Sequence, residues 1–153
     1  MNLLWINSAL DFDDSISAFS LSLIKELALR VDFIHVITMR LGRTQLPSNV
    51  RVYSLGKENN YGKLRLSFNF FRYLFYILLT QKADVCFVHL NTTLSILAAP
   101  FLKIRGIPLI LWHLHSGVNW RLKLAHRLAS RIISASSKTY PYNQDKLIIT
   151  NIA

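Results

Sequence analysis

Residues 108–117 read Pro-Leu-Ile-Leu-Trp-His-Leu-His-Ser-Gly, and this stretch decides the fold. Pro108 opens it, and Leu109 to Trp112 is a short apolar run bounded by turn-forming residues. That is the pattern of a strand buried on both faces. Two histidines, a serine and a glycine follow where such a strand ends. In open parallel sheets, ligands bind outside the carboxyl ends of the strands, where loops and helix N-termini converge. His113, His115, Ser116 and Gly117 therefore mark one edge of a candidate site. The plainer alternative makes one histidine a hydrogen-bonded core residue and the other a surface residue.

Working outward, the chain alternates strands with helices. Upstream, Asp84–Leu90 is an apolar strand, and Thr92–Ile104 is a helix that stops at Gly106-Ile107-Pro108. Downstream, Asn119–Ser130 is a helix with Leu122, Ala125, Leu128 and Ala129 inward, followed by strands at Ile132–Ala135 and Leu147–Thr150. In the first half, strands are expected at Asn2–Asn7, Phe33–Thr38 and Val50–Leu55. A helix from about Ile16 to Leu29 places Ile16, Phe19, Leu23 and Leu27 on one face, with Asp14 or Ser15 as its N-cap. A second helix runs from about Leu64 to Gln81. Strands joined through helices imply right-handed crossovers, hence a Rossmann-like α/β domain with a mostly parallel sheet flanked by helices, spanning 1–153. No internal repeat or low-complexity tract interrupts it.

Composition narrows the class. The chain has 153 residues, of which 52% are hydrophobic and only 17% charged, enough for a real core and unlike a disordered chain. The single cysteine, Cys86, lies in the apolar run 85–88 and reads as a small buried hydrophobe in a reducing compartment. Met1–Leu10 carries no basic residue, so no secretory signal is read there. The longest uncharged stretch, Val85–Leu102, includes His89, Asn91, Thr92 and Thr93 and reads as a strand running into a helix rather than a membrane span. The net charge of +10 is unevenly placed: residues 1–60 hold six Lys/Arg and six Asp/Glu, and residues 61–153 hold twelve and two. A basic half points to an oriented face for an anionic partner.

The ordered set Asp84–His89, then Gly106-Ile107-Pro108, then Leu109–His115, then a basic helix, then Arg131–Ser136 and Asp145–Ile152 resembles the N-terminal domain of a family 4 glycosyltransferase, one half of a GT-B fold. The resemblance covers the whole chain and is strongest over residues 84–152. It implies metal-independent, retaining transfer of a sugar from a nucleotide-sugar donor to a glycan or lipid-linked acceptor, with no cofactor beyond that co-substrate. In the family the donor is held mainly by a C-terminal domain with an Arg/Lys pair and a Glu-X7-Glu motif. This sequence has only Glu26 and Glu58, at the wrong spacing, and ends at Asn151-Ile152-Ala153 without the family's Gly and Asp. The expectation is a truncated half, or one completed by a C-terminal domain supplied in trans, inactive alone.

The resemblance assigns His115 the catalytic position, facing the transferred sugar and the acceptor; an imidazole there orients a sugar hydroxyl. His113, two residues away, is the alternative. Asn91, Ser116, Ser136, Asp14 and Ser15 complete the expected substrate-binding set. The loop Ser8–Ser15 departs from the family: where a Gly-Gly pair is usual, it holds Asp11, Asp13 and Asp14, and three carboxylates repel a diphosphate. Adjacent loop carboxylates read as solvated or helix-capping rather than as a metal site. His35, His89 and His126 are scattered, with no zinc spacing.

The helix at 64–81 carries Phe68, Phe70, Phe71, Tyr73, Phe75 and Tyr76 around nearly every side, with Arg65 and Arg72 on one face. It is either buried between the sheet and a neighbour or partly inserted at a membrane interface. Two functions follow: the acceptor-side half of a glycosyltransferase, or a non-catalytic basic module docking on an anionic membrane or a protein partner. Nucleic acid is disfavoured, since the aromatics do not interleave with the basic residues. The expected location is the cytoplasm, peripheral on the inner face of the membrane.

Overall fold

A computed structural model describes residues 1–114, 119–135, 142 and 144–150. The chain divides into two compact units, Met1–Asp84 and Val85–Ala153. The first contains β1 (Asn2–Leu10), α1 (Ser15–Ala28), β2 (Phe33–Leu41), β3 (Val50–Ser54), a short 3-10 turn at Lys57–Asn59 and α2 (Lys63–Thr80). Its strands pair in parallel in the order β3-β2-β1, with Trp5 opposite Val36, Asn7 opposite Thr38, and Thr38 opposite Ser54. Leu3 to Ile6 and Ile34 to Ile37 are buried without alternation, which shows that both faces of these strands are covered. Asp84 ties the unit's end to its beginning: its carboxylate accepts from the Asn2 amide at 2.6 Å, and its own amide donates to the Asn2 carbonyl at 2.9 Å.

Both β1 and β2 are longer than their apolar cores suggest. The ladder continues through Ala9 opposite Arg40 and Leu10 opposite Leu41, so the loop before α1 shrinks to residues 11–14. The inward face of α1 also differs from the expected one. Ser17, Ser20, Leu21, Ile24 and Ala28 are buried, whereas Ile16 and Phe19 are exposed and Leu23 and Leu27 half-buried. Both stripes have helical spacing; the small Ser17, Ser20 and Ala28 let the helix backbone approach closely, and that stripe wins.

The second unit contains β4 (Val85–His89), α3 (Thr92–Ile104), β5 (Leu109–Trp112), α4 (Trp120–Leu128), β6 (Arg131–Ser134), a 3-10 turn at Gln144–Lys146 and β7 (Leu147–Ile149). These strands pair in parallel in the order β4-β5-β6-β7. Cys86, Val88, Leu111 and Ile132 are fully buried in it. The Gly-Ile-Pro stop has a physical basis. Gly106 takes a left-handed φ of 68°, its amide donates to Lys103 O at 3.1 Å, and the Ile107 amide donates to Leu102 O at 2.9 Å. That is a glycine-terminated helix end, after which Pro108 cannot resume the helix. At the other helix, Lys146 Nζ donates to the carbonyls of His126, Arg127 and Ala129, closing the C-terminus of α4. With parallel strands and flanking helices, the chain has a Rossmann-like α/β fold.

Candidate functional site

Within the second unit, β4 and β5 run parallel, so their carboxyl ends share one edge. His89 lies opposite Trp112, and the pairing runs on one step: the Leu90 amide donates to Trp112 O at 3.1 Å and the His113 amide to Ile133 O at 2.9 Å. Asn91 and His113, both expected in the site, therefore come to the same edge. His113 is buried, at 7% exposure. Asn91 caps α3, its Oδ1 accepting from the Leu94 amide at 2.9 Å. Asn119 does the same for α4, accepting from the Leu122 amide at 2.8 Å. Two helix N-termini thus open where two strands end, and their partial positive charge suits hydroxyl-rich or anionic ligands.

Asn91 has a structural task as well as any contact with a ligand. Replacing it with Ala should cost the second unit about 1 kcal/mol through loss of the cap, and Asn91→Ser should restore most of that. Urea denaturation of the two variants checks this, and equal stability of Asn91→Ala and wild type would remove the capping role.

Two features of this edge are not legible in the sequence. Leu90, between His89 and Asn91, adopts a left-handed φ of 55°, uncommon for a residue with a branched side chain. His89 stands apart from the other histidines in the sequence, yet its ring sits edge-on to Trp112 with centroids 5.1 Å apart and an interplanar angle of 86°. Burial pushes its pKa down to about 4. Register is the missing signal: only the pairing of residue 89 with residue 112 shows that the two rings meet. Between Asp84 and Asp145 the sequence has no carboxylate, and the titratable side chains at this edge among the described residues include His89 and His113.

His115, Ser116 and Ser136 lie outside the described residues. Asp14 and Ser15 belong to the first unit. Asp14 is the N-cap of α1, accepting from the Ile16 and Ser17 amides at 3.0 Å, and it also pairs with Arg40 at 3.0 Å. Ser15 is the exposed first residue of that helix. Asp13 takes a forked contact from Arg43, with the shortest distance 2.6 Å. The hydrogen bond from Arg43 holds the Asp13 carboxyl below its usual range, and the Ser17 amide does the same for Asp14. The Asp11 side chain packs over Gly42, where any Cβ would overlap it. The loop is thus a braced, partly neutralised structure rather than three bare negative charges. Among the described residues, no group of three or more His, Cys, Asp or Glu is assembled for a metal ion.

A cavity of about 430 Å³ lies away from this edge, between the C-terminal ends of α3 and α4 and the start of β5, lined by Leu102, Lys103, Ile107, Arg127, Ala129 and Lys146 among others. It contains none of the expected site residues.

No protein-family model matches the sequence, and no curated protein matches it. Solved structures do match its fold. A UDP-GlcNAc 2-epimerase from Methanocaldococcus jannaschii is similar with a TM-score of 0.65 at 14% identity, covering 97% of this chain and 45% of the epimerase. MurG from Acinetobacter baumannii gives 0.62 at 13% identity, covering 97% of this chain and 45% of that one. Alr3699/HepE from Anabaena, solved in complex with UDP, gives 0.56 at 14% identity, covering 91% and 39%. This chain therefore spans less than half the length of these structures, and its Rossmann-like fold matches one part of enzymes of the GT-B type.

Proposed function

We propose that the chain is the acceptor-side half of a retaining glycosyltransferase that moves a sugar from a nucleotide-sugar to a glycan or lipid-linked acceptor, with the donor held chiefly by a second domain. The observation that carries this reading is the match of nearly the whole chain to less than half of GT-B-type enzymes, one of them solved with UDP. The family 4 resemblance in the order of strand ends, Asp84–His89 and Leu109–His115, favours transfer over epimerisation. By the family resemblance, His115 is assigned to orienting the sugar or acceptor hydroxyl and Ser116 and Ser136 to hydroxyl contacts; within the second unit, Asn91 and His113 come to one strand-end edge. Catalysis needs the second domain, on the same polypeptide or in trans, and no metal. The setting is the cytoplasmic face of a membrane.

Purified alone, the chain should transfer no sugar from UDP-N-acetylglucosamine and bind it weakly at most. Micromolar affinity in calorimetry would overturn the assignment of the donor to another domain. Adding a GT-B C-terminal domain that carries a Glu-X7-Glu pair should restore donor binding and transfer, and His115→Ala should then abolish transfer while leaving donor affinity intact. Transfer insensitive to that change would remove His115 from its role. A second reading, a non-catalytic module docking on an anionic membrane or a protein partner, is favoured by Leu64, Phe68 and Leu79 of α2, which are exposed close to Arg65 and Arg72 in sequence, and predicts no transfer after reconstitution.

A further inference from the structure

The cavity of about 430 Å³ at the start of β5 lies within the second unit, and sugar transfer gives it no task. Its volume falls in the range of small-molecule sites, about 300–1,000 Å³. Ala99 and Leu102 from α3, Ile107 and Leu109 at the entry to β5, and Leu128 from α4 supply an apolar wall. Lys103, Arg127 and Lys146 line it as well, and no Asp or Glu does so among the described residues.

Basic side chains near helix C-termini ordinarily offset the partial negative charge of the last carbonyls. Here those carbonyls already have partners. At the end of α3, the Gly106 amide donates to Lys103 O and the Ile107 amide to Leu102 O. At the end of α4, Lys146 Nζ donates to the carbonyls of His126, Arg127 and Ala129, at 3.2, 3.3 and 3.0 Å. An ammonium has three protons, so Lys146 keeps its charge but has no donor left for a ligand. Neither Lys103 nor Arg127 forms an ion pair among the described residues. Ser130, between α4 and β6, accepts at Oγ from the Leu109 amide at 3.3 Å, which leaves its hydroxyl proton to donate. An ammonium, a guanidinium and a hydroxyl thus line a cavity that holds no counter-charge. Charge and shape together select the ligand. Two uncommitted cations match the charge of a phosphate monoester, close to −2, whereas a carboxylate would neutralise only one of them. A bare phosphate would leave the apolar wall in water, and a phosphate carried on an apolar body covers it.

We propose that this cavity binds a small, soluble phosphate monoester with an apolar body, its phosphate held by Lys103, Arg127 and the Ser130 hydroxyl and its body against Leu102 and Ile107. This goes beyond the glycosyltransferase reading and does not depend on it: the cavity contains none of the residues assigned to sugar transfer, and neither a sugar nor a nucleotide is needed to fill it. The test is an NMR titration of the full chain with phenyl phosphate, inorganic phosphate and benzyl alcohol at fixed ionic strength, with circular dichroism to confirm that each variant is folded. Phenyl phosphate should bind on the order of tenfold more tightly than either of the others, since each lacks half of the recognised chemistry. Lys103→Gln with Arg127→Gln should weaken phenyl phosphate on the order of a hundredfold, about tenfold per charge-assisted contact. Ser130→Ala should weaken it on the order of fivefold. Arg121→Gln with Lys123→Gln removes the same charge from exposed positions of α4 that do not line the cavity. That control should change the affinity by no more than about twofold, because exposed charges at a distance are screened. Equal affinity for phenyl phosphate and inorganic phosphate overturns the proposal. Equal weakening by the two double variants also overturns it, because binding would then belong to the diffuse field of a basic chain. No binding of phenyl phosphate overturns it too, including the case in which phosphatidate vesicles bind instead and give the two cations to a lipid headgroup.

Discussion

Replacing Phe70 with Ala should destabilise the protein by about 3–5 kcal/mol, whereas Phe68→Ala, two positions away on the same helix, should change stability by no more than about 0.5 kcal/mol. Phe70 is fully buried, and its ring meets Phe71 edge-on with centroids 5.5 Å apart. Removing it deletes buried apolar area and leaves a cavity that a close-packed interior closes only in part. Phe68 is 68% exposed, so truncation removes little that folding had buried. Against a typical total of about 5–15 kcal/mol, the first change threatens folding at physiological temperature. Urea midpoints for the two variants, read with the slopes held equal, give the comparison. Similar losses at both positions would mean that α2 presents a different face to the sheet.

That helix also shows what sequence alone leaves undecided. Aromatic residues surround α2 on nearly every side, so periodicity cannot say which of them face the core; the packing partners decide it. The same holds for α1, where two stripes compete and the small residues win. Elements with one apolar solution were legible. The strand Leu109–Trp112 and the helix Thr92–Ile104 occur as expected, because an apolar run between turn signals and a capped helix ending in Gly106 each have a single reading. Strand ends were less legible. Ser8 and Arg40 look like loop residues, yet the parallel ladder carries β1 and β2 past them. Of the residues the sequence proposes for the candidate site, Asn91 and His113 are brought to one edge by the pairing of β4 with β5. The sequence passed over His89 because the meeting of that ring with Trp112 depends on register, and it left Asp14 as a choice between cap and ligand. The structure gives Asp14 the cap and a partner in Arg40.

His89 should make the protein markedly less stable in mild acid. Burial lowers its pKa from 6.5 to about 4, so the folded state keeps the imidazole neutral over a range in which the unfolded chain takes up a proton. The sign follows from that difference: above about pH 6.5 neither state is protonated, and the full stability is present. As pH falls from 6.5 towards 4, the unfolded state binds the extra proton and stability drops. Below about 4 both states are protonated and the loss levels off. A depression of roughly 2.5 units corresponds to about 3 kcal/mol over the whole window, and about 2 kcal/mol of it should be gone by pH 5. His35, whose pKa is lowered by burial and then by Arg51, and His126, lowered by burial and then by Lys146, add to the slope in the same direction. Urea unfolding at pH 7 and pH 5 measures the total, and a His89→Gln variant isolates the contribution of this ring. The variant should start less stable at pH 7 and lose much less between the two pH values. If its slope equals that of wild type, His89 is not the buried neutral group at the end of β4, and the acid sensitivity must be assigned to His35 and His126.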